Sequence, residues 1–253
     1  MRSSILWISS DSMSHPAHIH ERCSVASCDV CEMRHFTFCS VLQGKELEQL
    51  AGIVHRDTTT AHTFLFQEGD PAHEVFNILD GTVKLYKSLP DGRTQITGFL
   101  FPGDFLGLST KGDYSYSAEA VTDIRVCRFQ KRDMTVMFKD FPKLVDRLLA
   151  IASDELAAAQ EQMLLLGRKT AQERILSFLQ IMSERAQRRG QPGNPIHLSM
   201  SRADIADYLG LTIETVSRTL TKLKEKGVLK LPRPQEVVLA TGYDIAAAAE
   251  GEA

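Results

Sequence analysis

Hydrophobic and polar positions are spaced in two different ways along the chain. Between about residues 59 and 130, apolar runs such as VKLYK and TQITGF alternate with polar residues, and Gly or Asp-Gly turns separate the runs. Alternation places every second side chain on the same face of a strand. The region is therefore predicted to form an antiparallel β-roll or barrel.

The spacing becomes helical at Phe141-Pro142. Pro142 suits the first turn of a helix, and neither Gly nor a further Pro occurs before Gly167, where the helix is predicted to end. Apolar residues within it are separated alternately by four and three positions: Val145, Leu149, Ala152, Leu156, Ala159, Met163 and Leu166. This heptad spacing favours a coiled coil between two chains, and the alternative is a helix packed on its own domain.

A second helical pattern covers residues 201–226, SRADIADYLGLTIETVSRTLTKLKEK. Gly210 permits a tight left-handed turn between two helices, and Thr212 suits the N-cap of the second helix. The inward positions are predicted to be Ile205, Ala206 and Leu209 in the first helix and Ile213, Val216, Leu220 and Leu223 in the second. This arrangement is typical of a helix-turn-helix, whose second helix enters the major groove of DNA.

The outward face of the second helix carries the candidate DNA contacts. Arg218 suits the O6 and N7 atoms of guanine, and Glu214 suits the amino group of cytosine. The full candidate set is Thr212, Glu214, Thr215, Ser217, Arg218 and, at the start of the first helix, Arg202. The alternative is an ordinary surface helix with an exposed Glu–Arg pair four residues apart.

The distribution of charge supports nucleic acid as a partner. The chain has a net charge of −3, yet residues 168–233 contain thirteen Lys and Arg against six Asp and Glu. Such asymmetry is typical of a region that binds nucleic acid. Apolar runs are too short to span a membrane, and the first residues lack the features of a signal peptide, so we expect a cytoplasmic protein.

Four of the five cysteines lie within residues 23–39, CSVASCDVCEMRHFTFC, and the fifth is Cys127. A reducing cytoplasm disfavours disulfides, and the count is odd, so the cysteines indicate a metal or redox site. Their spacing alone leaves a four-cysteine zinc site open. It also leaves open the plant-type [2Fe-2S] spacing Cys23-x4-Cys28-x2-Cys31, although the rest of the chain does not resemble a ferredoxin.

Together, the β-roll, the long helix and the stretch ADIADYLGLTIETVSRTLTKLKEKGVL resemble the CRP/FNR transcription regulators, over about residues 28–235. ETVSR at 214–218 is similar to the recognition helix of the FNR branch, which reads TTGAT half-sites in a palindrome. The resemblance implies an α+β fold: an N-terminal antiparallel β-roll of the cupin-like jelly-roll type, a long dimerisation helix and a C-terminal winged helix-turn-helix. It also implies a homodimer that binds double-stranded DNA and RNA polymerase, and not an enzyme.

The resemblance divides the chain into five parts. These are a cysteine-rich segment at 1–40, a β-roll sensor domain at 41–140, the dimerisation helix at 141–167, the DNA-binding domain at 168–240 and a tail at 241–253. It places the dimer contacts at Leu149, Ala152, Leu156, Ala159, Met163 and Leu166.

The spacing Cys28-x2-Cys31-x7-Cys39 is similar to that of FnrN and FixK-like oxygen sensors, and Cys127 matches their distant fourth ligand. This resemblance implies one [4Fe-4S] cluster per subunit on those four cysteines, with Cys23 spare. Oxygen would degrade the cluster and weaken the dimer. The open alternatives are a FixK-like regulator with a structural zinc site and one without any cluster.

Two further functions are not expected. Cyclic-nucleotide binders of this family carry an Arg before Ser/Thr-Ala, whereas Tyr116 precedes Ser117-Ala118 here, and tyrosine cannot supply a cationic bidentate donor. We therefore expect no cyclic nucleotide. An enzyme on the β-roll is disfavoured because FPGDFLGLSTKGD lacks both the dinucleotide fingerprint and the Walker lysine, and the chain shows no nucleophile–base pair.

Overall fold

The computed structural model describes residues 19–22, 28–241 and 245–251, with the backbone alone described at 19–22. The described chain forms a β-roll, a long helix and a C-terminal helical domain with a small sheet. This is the α+β architecture that the sequence predicts. Within the described residues, every helix is too short or too polar to cross a membrane.

Two antiparallel sheets form the β-roll. One contains, in spatial order, β1 (Ile19–Arg22), β2 (Val54–Thr59), β9 (Ile124–Gln130), β4 (Glu74–Asp80) and β7 (Phe105–Leu106). The other contains β3 (Phe64–Phe66), β8 (Ser117–Ala120), β5 (Val83–Ser88) and β6 (Thr94–Leu100). Apolar side chains from both sheets, such as Phe66, Ile78 and Val126, fill the space between them.

The turn between β4 and β5 shows why the Asp-Gly pairs predicted turns correctly. Gly81 has a φ of 83°, and a Cβ atom there would lie 2.3 Å from the carbonyl oxygen of Asp123. Only glycine fits this backbone conformation and this close approach.

The outer face of the five-stranded sheet is covered by a second core. Over it lie two short 3-10 helices (Glu32–Phe36 and Phe38–Val41), α1 (Lys45–Ile53), α2 (Lys131–Asp140) and the start of α3 (Pro142–Arg168). Strands β4 and β9 therefore contribute side chains to one core on each face of the sheet, and β2 contributes Val54 to the outer core. Large side chains that are less than 2 % exposed in this outer core are Phe38, Leu42, Leu47, Leu50, Phe129, Met134 and Leu144.

Helix α3 is 27 residues long and has Pro142 in its first turn, as predicted. The prediction that Gly167 ends it is wrong, because the Lys169 N–H still bonds to the Leu165 carbonyl and the helix continues to Arg168. Its buried residues are Leu144, Leu148 and Leu165.

The heptad seam of α3 lies on a different side of the helix from these buried residues. Leu149, Leu156 and Met163 are 69 %, 61 % and 70 % exposed, so no described part of the chain covers the seam at these positions. Leu166 differs from them because it is half-buried against the core of the C-terminal domain.

The C-terminal domain begins with α4 (Ala171–Arg188). Thr170 and Glu173 form a capping box at the start of this helix. There follow β10 (Ile196–His197), α5 (Arg202–Leu209), α6 (Ile213–Glu225), β11 (Leu229–Arg233), β12 (Glu236–Leu239) and α7 (Ile245–Ala249). The three strands form a sheet in the order β10-β12-β11, the wing of a winged helix-turn-helix.

The C-terminal domain is docked against the four-stranded sheet of the roll. Ile96 and Phe99 of β6 share one hydrophobic core with α4, α5 and α6. At the edge of this contact, Arg185 of α4 donates to the Phe99 carbonyl at 2.7 Å and pairs with Asp104 at 3.4 Å. Lys84 of β5 pairs with Asp204 of α5 at 3.2 Å.

Candidate functional site

The turn between α5 and α6 has the geometry of a helix-turn-helix. Ser201 and Asp204 form a capping box at the start of α5, and Gly210 ends that helix in the left-handed conformation with φ 60° and ψ 41°. Thr212 then begins α6, and its hydroxyl accepts the Thr215 N–H at 3.2 Å. The predicted turn and N-cap are confirmed.

The inward and outward faces of α6 are largely those predicted. Val216, Leu220 and Leu223 are buried, whereas Glu214, Ser217 and Arg218 are exposed. One inward prediction is wrong, because Ile213 is 47 % exposed. Ile213 is the first residue of the helix, and Leu211 in the preceding turn packs against the core instead.

The remaining candidates have structural contacts of their own. The hydroxyls of Thr212 and Thr215 lie 3.0 Å apart at the start of α6. Arg202 is half-buried and donates to the Pro234 carbonyl at 3.1 Å, so it ties α5 to the turn of the wing. Arg233, just before that turn, is 79 % exposed at its side chain and pairs with Glu236 at 3.9 Å.

The start of α6 favours an ionised Glu214. Backbone N–H groups at the helix terminus, the Thr212 hydroxyl and the positive charge of Arg218 hold the pKa of Glu214 below its usual range. The exposed face therefore presents an acceptor carboxylate one helical turn from a guanidinium donor. Bases in the major groove offer the matching amino groups and acceptor atoms.

A second candidate site is a cavity of about 20 Å³ between the N-terminal segment and the outer face of the five-stranded sheet. All four cysteines predicted as ligands line it, although Cys127 is far from the others in sequence. Apolar side chains make most of the remaining wall: Leu47, Leu50, Val54, Leu79 and Phe129. Three polar residues complete it: Thr37, Arg56 and Asn77.

Two distant parts of the chain bring the cysteines together. Cys127 lies in the middle of β9 and is 8 % exposed. Cys31 directly precedes the first 3-10 helix, and its N–H bonds to the Cys28 carbonyl at 3.3 Å. Cys39 lies in the second 3-10 helix.

Thr37 fixes the hydrogen bonding of Cys39. The Thr37 hydroxyl donates to the Arg34 carbonyl at 3.1 Å and lies 2.7 Å from the Cys39 sulfur. Either the Thr37 hydroxyl or the Cys39 thiol can donate in the second contact. Burial raises the pKa of Cys39, and the hydrogen bond with Thr37 and the positive charge of Arg34 oppose this increase.

The donor set fits an iron–sulfur group in chemistry, because it gathers four sulfurs within largely apolar walls. A single zinc ion would also require the cysteines to move, since no three His, Cys, Asp or Glu side chains in the described part of the chain converge on one point. The cavity has room for about one water molecule. A four-iron group therefore requires the segment 28–39 to lie further from the sheet. Cys23 lies outside the described residues.

The hydrophobic core around the cavity extends to the start of the long helix. Leu144 and Leu148 of α3 belong to the same hydrophobic core as Cys127, and Cys28 and Cys39 pack against that core. Lys143 of α3 also pairs with Glu46 of α1. A displacement of the cysteine segment thus acts on packing that the first two turns of α3 share.

Comparison with known protein families finds matches for the β-roll and for the helix-turn-helix. Residues 57–141 match the family of the cyclic nucleotide-binding domain, and residues 198–229 match the bacterial regulatory proteins of the crp family. The nitrogen fixation regulation protein FixK of Bradyrhizobium diazoefficiens is 41 % identical over 204 residues, which cover 81 % of this chain and 86 % of that protein.

Two further relatives agree with this match. The transcriptional activator protein FnrL of Cereibacter sphaeroides is 37 % identical over 216 residues, covering 84 % of this chain and 87 % of that one. The structure of FixK2 from Bradyrhizobium japonicum superposes with a TM-score of 0.70 at 36 % identity, over 75 % of this chain and 93 % of that one. With its β-roll, its helix-turn-helix and these relatives, the chain belongs to the CRP/FNR family and is a transcription regulator of the FixK/FNR type, not an enzyme.

Proposed function

We propose that this regulator responds to oxygen through a [4Fe-4S] cluster held by Cys28, Cys31, Cys39 and Cys127. The observation that carries the proposal is the convergence of these four cysteines, from two distant parts of the chain, on one cavity. When bound, such a cluster would link these two parts of the chain, and oxygen would destroy the link. The chain itself supplies the four thiolates and the apolar walls that exclude water.

The effect on DNA binding is proposed to pass through dimerisation. The cysteine cavity and the first turns of α3 share one core, so the position of segment 28–39 bears on how α3 is held. The seam of α3 is exposed in the single chain, where a second copy of the helix fits. Pairing would set two recognition helices one turn of DNA apart.

We propose that α6 reads TTGAT-type half-sites. Arg218 and Glu214 are exposed one turn apart at the N-terminal half of the helix, which is the part that meets base edges in this motif. The relative FnrL is named a transcriptional activator. An activator function of this chain would involve contact with RNA polymerase.

We expect no cyclic nucleotide in the β-roll. Tyr116 takes the place of the cationic residue, and its hydroxyl accepts the Gly107 N–H at 3.2 Å. The Tyr114 ring stacks on Phe66 at 3.7 Å and fills the adjacent interior. Asp104, the acidic residue after the FPG turn, pairs with Arg185 of the C-terminal domain.

Iron and sulfide analysis of anaerobically purified protein tests the cluster. We expect about four irons and four sulfides per chain for one [4Fe-4S] group. The brown colour should bleach in air, and sedimentation should show the dimer weakening at the same time. Zinc in place of iron, or a full dimer that binds DNA without either metal, would favour the alternative regulators.

Leu156→Glu is expected to weaken the dimer while leaving the monomer folded. Leu156 is 61 % exposed, so the substitution costs little in one chain, but it places two carboxylates opposite each other in the paired seam. We expect the dissociation constant, measured by sedimentation, to rise at least about tenfold, which is about 1.4 kcal/mol.

The matched control is Ala158→Glu, because Ala158 is also exposed but lies on the opposite side of α3. It adds the same charge and should leave the dimer nearly unchanged. Equal dissociation constants for Leu156→Glu and the unmodified chain would show that another surface makes the dimer.

A further inference from the structure

Cys127 is flanked by a polar residue on each neighbouring strand. Strand β9 lies between β2 and β4, and Cys127 is directly opposite Arg56 on one side and Asn77 on the other. Residues directly opposite in antiparallel strands have Cβ atoms about 4.5–5.5 Å apart on the same face of the sheet. All three residues line the cysteine cavity, so they form a polar row across its floor.

Asn77 has an unfilled hydrogen-bonding position in this row. Its side chain is 2 % exposed, and its Oδ1 atom has no hydrogen-bond partner among the described residues. A buried polar atom without a partner destabilises a fold, so such an atom in a cavity wall points to a group that the cavity receives. Rotation of the amide by 180° exchanges its two ends and turns its N–H donors toward the same place.

Arg56 brings positive charge to the same wall. Arg56 makes contacts of its own, and its guanidinium remains charged at any pH at which the protein is folded. Among the described residues that line the cavity, Arg56 is the cationic one, and none of the others carries a carboxylate. The wall therefore favours an anion over a neutral or cationic group.

The proposed ligand set is anionic. Four thiolates around a [4Fe-4S] core of charge +2 carry a net charge of −2, and an uncompensated charge within apolar walls is costly. A nearby cation and N–H donors to sulfur lower this cost and raise the reduction potential of the site.

We infer that Arg56 and Asn77 are positioning residues for the ligand Cys127, with Arg56 supplying the counter-charge and Asn77 an N–H···S hydrogen bond. The inference rests on the proposed function. It adds that residues on the two strands beside Cys127 affect the oxygen sensitivity and the reduction potential of the cluster. The segment that carries the other three cysteines affects them as well.

Four variants test the inference: Arg56→Gln, Arg56→Lys, Asn77→Leu and the control Arg93→Gln, which removes an equal charge from the exposed loop between β5 and β6. The reduction midpoint is measured by anaerobic spectroelectrochemistry, together with the half-life of the visible absorption in air. Arg56→Gln should lower the reduction midpoint by about 59 mV, which corresponds to a change of about tenfold in the one-electron equilibrium constant. Arg56→Lys should restore most of this shift, and Arg93→Gln should cause none.

Asn77→Leu has two expected effects of opposite sign. Without the unpartnered amide, the iron-free protein should resist urea better than the unmodified chain, because an apolar group of similar shape needs no hydrogen bond. The cluster-loaded protein should instead show a lower midpoint and a shorter half-life in air. A purely structural asparagine would not give this reversal.

The outcomes separate the inference from the proposed function. An unmodified chain without iron and sulfide overturns the proposed function. If the unmodified chain binds a cluster, wild-type midpoints and half-lives in Arg56→Gln and Asn77→Leu overturn the inference alone. Where Arg56→Gln assembles no cluster, Arg56→Lys decides between two roles of Arg56. Assembly with lysine supports the proposed counter-charge. Failure of both variants to assemble a cluster, in protein that is still folded, overturns the counter-charge and shows that Arg56 acts through packing.

Discussion

Serine at any one of Cys28, Cys31, Cys39 or Cys127 is expected to abolish the iron–sulfur chromophore. A serine hydroxyl does not ionise at neutral pH as a thiol near a metal does, so one iron would lose its protein ligand. All four cysteines line one cavity, and the loss of any one breaks the same site. Iron, sulfide and visible absorption of the anaerobically purified variants give the measurement.

Two controls make this result specific. Cys127 is buried, and a serine there places a hydroxyl in the outer core, so Cys127→Ala should be compared with Cys127→Ser to separate the ligand from the fold. Cys23→Ser should retain the chromophore. Loss of colour in Cys23→Ser together with its retention in Cys39→Ser would instead establish the ferredoxin-like spacing.

Arg218→Ala is expected to cost a dimer about 2–6 kcal/mol of binding to a TTGAT-type palindrome, because a bidentate contact from arginine to guanine contributes about 1–3 kcal/mol at each half-site. Arg218 is exposed on the outward face of α6, so its removal leaves the helix intact. Binding to random DNA should change much less, since phosphate contacts dominate there.

Lys224→Ala is the matched control for Arg218→Ala. Lys224 is exposed in the last turn of the same helix, beyond the part that meets base edges. Its loss should weaken binding to the palindrome and to a scrambled duplex alike. It should also reduce the slope of the logarithm of the binding constant against the logarithm of the salt concentration by about one per lost phosphate contact. Titrations at two salt concentrations measure both variants. Equal losses on the two duplexes for Arg218→Ala would show that it grips phosphate.

The local elements were predictable because each depends on a few neighbouring residues. Gly210, Thr212 and the spacing of Val216, Leu220 and Leu223 are sufficient for the turn and buried face of the helix-turn-helix. Ile213 was wrongly predicted to be buried. The helical spacing of apolar residues includes this first residue of the helix, although other parts of the protein leave it 47 % exposed.

The cysteine site was only partly predictable. The four cysteines were grouped by a family resemblance, because their spacing alone left zinc and [2Fe-2S] sites open. Arg56 and Asn77 gave no signal at all, since a single polar residue within a strand fits a half-buried face as well as a site. Their position beside Cys127 depends on the register of three strands that are distant in sequence, which a local pattern does not encode.

Helix α7 lies where the sequence suggested only an alanine-rich tail. Ala248 and Ala249 are 4 % and 1 % exposed and belong to the core of the C-terminal domain, and Glu250 pairs with Lys169 at 2.9 Å. Small side chains let α7 lie close against α4. A chain cut before Ile245 would therefore lose part of the core of the domain that holds the recognition helix.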